Sequence, residues 1–139
     1  MSGLDITKAA EAAKVEDEGQ VVHVRDRDGE PLYTDEQQPV TITVAGTYSG
    51  KYRQAANRQR DRLVKMRRAK LSGELIEQQQ LELMAACVLD WHGFTVDGKP
   101  VPCNVENAKQ LLASVPWVRE QVEEAMNDHE SFSRSSSPT

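Results

Sequence analysis

Cysteine, aromatic residues and long apolar runs are all scarce in this chain. Two cysteines, Cys87 and Cys103, are too few for a disulfide scaffold. Aromatic residues make up 5% of the 139 residues, and hydrophobic residues of all kinds 38%. The core is therefore expected to be modest. The longest unbroken apolar stretch, Leu83 to Leu89, is far shorter than the ~20 residues that cross a bilayer. The opening MSGLDITKAAEAAK has no apolar signal core. Secreted, disulfide-stapled and membrane classes are excluded on these grounds, leaving one domain in a reducing cytoplasm as the expectation.

Catalytic signatures are missing too. There is no phosphate-binding glycine loop, no G-x-G-x-x-G and no nucleophile elbow. His23, His92 and His129 are isolated in sequence. Cys87, His92 and Cys103 have the spacing C-x4-H-x10-C, which fits no standard zinc arrangement and is one ligand short. Asp90 and His92 assemble no triad with a nearby nucleophile. The expectation is a protein with no catalytic residues, no metal and no cofactor.

What is present is an uneven charge. The formal net charge is -5. Yet residues 51–70 hold nine basic side chains (Lys51, Arg53, Arg58, Arg60, Arg62, Lys65, Arg67, Arg68 and Lys70) against Asp61 alone. That block is +8, so the remaining 119 residues are -13. A basic helix on an acidic chain has three readings: a solvated face or one paired within the fold, a site for an acidic protein partner, or a nucleic-acid contact. Tyr48 and Tyr52 are the only aromatics near it, which disfavours base stacking.

Periodicity divides the chain. Residues 1–19 read as a mobile arm or a short alanine-rich helix over Lys8–Lys14, capped by Asp5 or Thr7. Residues 20–46 read as a three-stranded antiparallel meander. Its strands are Gln20–Arg25, an edge strand at Glu30–Thr34 and the alternating Val40-Thr41-Ile42-Thr43-Val44, with a turn over Asp26–Gly29. Helices are predicted over about 49–70, about 73–92, after Asn104, and from Pro116 as first helical residue. The second carries the stripe Ile76, Leu83, Met84, Cys87, Val88 and Trp91, with Gly93 after its end. Asp97-Gly98 marks a tiny hairpin. The serine-rich residues 131–139 are expected to be a disordered tail. The fold class is thus α+β: a small N-terminal meander, then a bundle of about four helices, in a single domain over 20–130.

The order of these features suggests a family. The charged meander runs into Ile42-Thr43-Val44-Ala45-Gly46-Thr47-Tyr48-Ser49-Gly50-Lys51-Tyr52-Arg53 and the arginine-rich helix. Then come Trp91-His92-Gly93-Phe94, Gly98-Lys99-Pro100-Val101-Pro102, Glu106-Asn107-Ala108 with Leu111-Leu112, and Pro116-Trp117-Val118-Arg119-Glu120-Gln121-Val122. Over residues 21–132 this ordering resembles the tail assembly chaperones of long, non-contractile-tailed bacteriophages. The resemblance implies a non-enzymatic protein of the host cytoplasm, absent from the mature virion. It implies that the chain binds and solubilises the tape measure protein and recruits major tail tube subunits. It also implies a frameshift-extended form of the same chain, with its extension beginning near residues 131–139. Two other readings stay open: a small nucleic-acid-binding regulator using helix 51–70, and a virion tail-completion or connector subunit. The residues expected to meet a partner are Arg60, Arg67, Arg68, Leu71, Leu75, Ile76, Leu81 and Met84. Leu75 and Leu81, off the main stripe, could equally pack as a second buried helix face.

Overall fold

The computed structural model describes residues 3–65 and 72–136. Asp5 caps the first helix, α1 (Ile6–Glu18), its carboxylate accepting from the Thr7 and Lys8 amides. Strand β1 (Gln20–His23) pairs antiparallel with β2 (Thr41–Val44). In β2 the alternation works as the sequence suggests. Ile42 and Val44 are fully buried, while Thr41 and Thr43 are half-buried on the other face.

The third strand differs from the expected meander. It is not Glu30–Thr34 but β3 (Val88–His92), antiparallel to β2 with Ile42 opposite Trp91, in sheet order β1-β2-β3. Residues 24–40 instead fold back through isolated bridges, Arg25 to Pro31 and Tyr33 to Pro39. The bonds there change partner, Leu32 N–H donating to the Val24 carbonyl, Val24 N–H to that of Val40 and Val40 N–H to that of Leu32, so no two-stranded ladder extends. The predicted turn survives, with the Gly29 amide donating to the Asp26 carbonyl.

Supplying β3 shortens the long helix. α3 spans Gly73–Cys87, capped by Ser72, and the chain turns extended at Val88 (φ -78°, ψ 112°). Cys87 and Trp91 share a stripe at helical spacing, but Val88, Leu89 and Trp91 suit a strand equally well. The unpaired edge of β2 decides between them. Trp91 anchors the strand end by donating its indole N–H to the Val101 carbonyl (2.7 Å). The short hairpin β4 (Thr95–Val96) and β5 (Lys99–Pro100) follows, turning at Asp97 (φ 52°) and Gly98 (φ 80°). Two left-handed residues in succession are what a two-residue hairpin turn demands.

The remaining helices are α2 (Gly50–Lys65), α4 (Val105–Ser114), α5 (Pro116–Asn127) and α6 (His129–Ser136). Asn104 caps α4, accepting from the Asn107 amide. Pro116 opens α5, as predicted. Helices α2 to α5 form the expected bundle of four, and α1 and α6 pack against each other beside it. The main core joins the buried face of β2 to Leu81, Met84, Ala85 and Cys87 of α3, Ala108 and Leu112 of α4, and Val118, Val122 and Met126 of α5. The serine-rich segment, expected as tail from residue 131, continues as helix to Ser136. It carries Phe132, which is 1% exposed. Residues 137–139 lie outside the described residues.

Cys87 is fully buried, and burial pushes its thiol up to about 12 from 9.0, against smaller lowering effects of Ser49 and Lys51. Cys103 is raised by burial and by the charge of Asp90. The thiolate is the reactive form, so Cys87 is expected to resist alkylation at pH 8 until the protein unfolds. Cys103 should react first, more slowly than a free thiol. Thiol labelling followed by peptide mass spectrometry reads both. The raised value also sets a direction for stability. The unfolded thiol ionises near 9.0, so this group favours unfolding progressively as pH rises from there towards 12.

Candidate partner-binding surface

The segment 45–50 links sheet to bundle, and the end of α1 holds it in place. Glu16 accepts from Gly46 N–H through its backbone carbonyl and from Tyr48 N–H through Oε1 (3.1 Å in each case). Asp17 Oδ1 accepts from Gly50 N–H (2.6 Å), which sets a carboxylate at the N-terminus of α2. Ser49 closes the cap, accepting from the Tyr52 amide and donating to the Gly46 carbonyl. Gly46 is required sterically, because a Cβ there would land on the Glu16 carboxylate and 2.9 Å from Phe132 Cε2.

His129 completes this clasp from α6. Its Nδ1–H donates to Glu16 Oε2 at 2.6 Å, Tyr48 stacks on its ring at 3.8 Å, and Thr47 Oγ1 lies 3.4 Å from Nε2. Carboxylate, imidazole and hydroxyl stand in the order of a charge relay. The neighbouring amides have other work: Thr47 N–H donates to the Met126 carbonyl and Ser49 N–H to that of Gly46. With the amides at 46, 48 and 50 also engaged, none of these donors is left to stabilise an oxyanion at Thr47. The arrangement ties α6 to α1 and to the 46–50 segment. In sequence His129 is a lone histidine 113 positions from Glu16, and no local signal joins them.

On the outer side of this clasp two depressions meet. The first, about 480 Å³, lies between α1, the 47–49 segment and α2. Ala13, Tyr52 and Ala56 line it, and Tyr48, Arg53 and Arg60 stand exposed around it. The second, about 180 Å³, has the buried Met84 and Met126 with Leu83 beneath exposed Gln80, Glu123 and Asn127. Thr47 and Tyr52 line both, so the two depressions adjoin across the start of α2 as a two-part trough.

The basic residues of α2 divide between two flanks. Lys51, Arg58, Arg62 and Lys65 follow one another at helical spacing on the flank towards α3 and α4. There Arg62 pairs with Glu82 (3.1 Å), and Lys109 meets the same carboxylate (3.4 Å). Arg53 and Arg60 lie two turns apart on the opposite flank, beside the trough. Neither guanidinium has an ion pair or hydrogen bond among the described residues. The intramolecular reading of the basic helix thus applies to Arg62, and its partner is on α3 rather than on the acidic α5. The α5–α3 ion pair runs the other way, from Arg119 to Glu77 (3.1 Å).

The residues singled out from sequence scatter over several environments. Arg60 is exposed at the trough. Ile76 is 46% exposed and Leu75 half-buried on α3. Leu81 and Met84, at 3% and 7%, are core side chains, and only Met84 also lines the trough. Leu81 thus belongs to the same core face of α3 as Met84 and Ala85, three and four positions on. Arg67, Arg68 and Leu71 lie outside the described residues. Tyr48, Tyr52, Arg53 and Ala56, which line the trough, were absent from that set. Their signal is there to read: Tyr52, Ala56 and Arg60 recur every four residues along one side of α2. Among the described residues no three His, Cys, Asp or Glu side chains are placed to share a metal ion, and Cys87, His92 and Cys103 do not converge. No helix among them is long and apolar enough to cross a membrane.

Comparison with known families places this surface in context. A model of the YdaY prophage protein family matches residues 46–137, from the glycine under the clasp to the end of α6. The chain belongs to the YdaY prophage protein family. No curated protein and no solved structure gives a significant match. The YdaY match begins at Gly46 and takes in the segment 46–50, α2 and both methionines of the trough. It leaves out α1, β1 and β2, and with them Ala13 and Glu16. As a YdaY-family chain the protein is phage-derived.

Proposed function

We propose that this prophage protein is a non-enzymatic tail assembly chaperone. It works in the host cytoplasm on the tape measure protein of its phage, recruits major tail tube subunits and stays out of the finished virion. The observation that carries the reading is the open trough beside Arg53 and Arg60. It is apolar at its base, lined by small and methionine side chains, and built on helices. A groove of this kind holds one face of an amphipathic helix. A long helical assembly protein offers many such faces, and a chaperone must release each one, so modest contact is an advantage. The resemblance in feature order and the prophage family agree with this setting. The nucleic-acid reading has less support, because Glu82 interrupts the longer basic flank and the chain is acidic overall.

The test is co-expression with the phage's tape measure protein, followed by pull-down from the soluble fraction in moderate salt. The expected outcome is a tape measure protein that is soluble only with this chain and co-elutes with it. A tape measure protein that stays insoluble, or purified particles that contain this chain, would sink the proposal.

A further inference from the structure

Arg53 and Arg60 share a side of α2, stand two turns apart and have no acidic partner among the described residues. Between them and α1 the floor is Ala13 and Ala56, small enough to let another backbone come close. Tyr52 borders both that floor and the adjoining depression over Leu83, Met84 and Met126. We infer that the trough is the docking site for an acidic amphipathic helix of a partner chain. Its apolar stripe would lie on Ala13, Ala56 and Tyr52, and carboxylates two turns apart would meet Arg53 and Arg60.

Charge complementarity selects this occupant. Exposed Glu123 stands at the second depression, so the charge preference is set at the α1–α2 end, where Arg53 and Arg60 line the site and no acid does; a basic helix would be repelled there. Arginine is suited to the rim because its planar fork takes a carboxylate bidentately. A duplex is a poorer fit, since its phosphates cannot fill an apolar floor and two cations neutralise little of its charge. The inference deepens the chaperone reading and rests on it only for where the helix comes from.

The experiment uses the full chain and two labelled helical peptides of about 20 residues, long enough to hold a helix. They share one apolar stripe, with Glu in one and Lys in the other at positions two turns apart. Fluorescence anisotropy should show the Glu peptide binding the wild-type protein, and binding should weaken as salt rises. The double variant Arg53→Glu/Arg60→Glu should bind it at least about tenfold more weakly and should now prefer the Lys peptide. Ala56→Trp, which fills the floor without changing charge, should also weaken it. Circular dichroism checks that the variants stay folded. Equal binding of both peptides, binding of neither, or binding of a duplex oligonucleotide alone would overturn the inference. Co-expression separates the two ideas. If the charge-reversed variant solubilises the tape measure protein as well as wild type does, the chaperone reading stands and the site is wrong. If the peptide preference reverses as expected while the wild type solubilises nothing, the site stands and the chaperone reading falls.

Discussion

Phe132→Ala is expected to lower the unfolding free energy by about 3–5 kcal/mol, the usual cost of emptying a buried aromatic site. Phe132 is 1% exposed and heads the fully buried side chains by volume. It lies apart from the main core, against Gly46 and within reach of the α1 clasp. The helix that carries it, α6, is eight residues long, too short to persist alone in water. Asp128 supports its first turn by accepting from Ser131 N–H and Oγ–H, but such a cap is worth only about 1 kcal/mol. Holding α6 therefore falls mainly to Phe132 and His129. The variant should lose amide-exchange protection in α6 first, along with a lower urea midpoint. A midpoint that barely moves would mean that α6 is not docked as described.

How much of this could be read in advance depends on the range of each interaction. The Asp5 and Asn104 caps, Pro116, the Asp97-Gly98 turn and the alternation of Val40, Ile42 and Val44 are local, and each was legible in sequence. Val88–His92 was misread because its residues satisfy a helical stripe and a strand alike. Only the open edge of β2, more than 40 positions earlier, resolves it. The buried Phe132 was hidden in a serine-rich setting whose composition signals disorder. For the candidate site, the basic helix was conspicuous, but its division into a paired and an unpaired flank was not. That division needs the position of Glu82 on α3.

His129→Ala is expected to cost about 2–3 kcal/mol, less than the full ~3–5 kcal/mol of breaking a buried pair. The Glu16 side chain is 3% exposed, while that of His129 is 33% exposed. Water can therefore reach part of the space the imidazole leaves, but it cannot make Glu16 a surface group. After the change, Oε1 keeps the Tyr48 amide and Oε2 loses its donor. A buried carboxylate short of one donor is the source of the penalty. Glu16→Gln in the His129→Ala background removes that charge and should recover part of the loss. In the wild type the same change should only destabilise, because an amide pairs less strongly with the imidazole. The double-mutant cycle should therefore close with a coupling of about 1–2 kcal/mol. Gly46→Ala reaches the same clasp from the other side, since its Cβ displaces the carboxylate itself, and should destabilise in parallel. Strictly additive losses in urea titrations of the four species would show that Glu16 and His129 act separately. In that case the clasp owes its order to the backbone bonds from Gly46 and Thr47 and to the packing of Phe132.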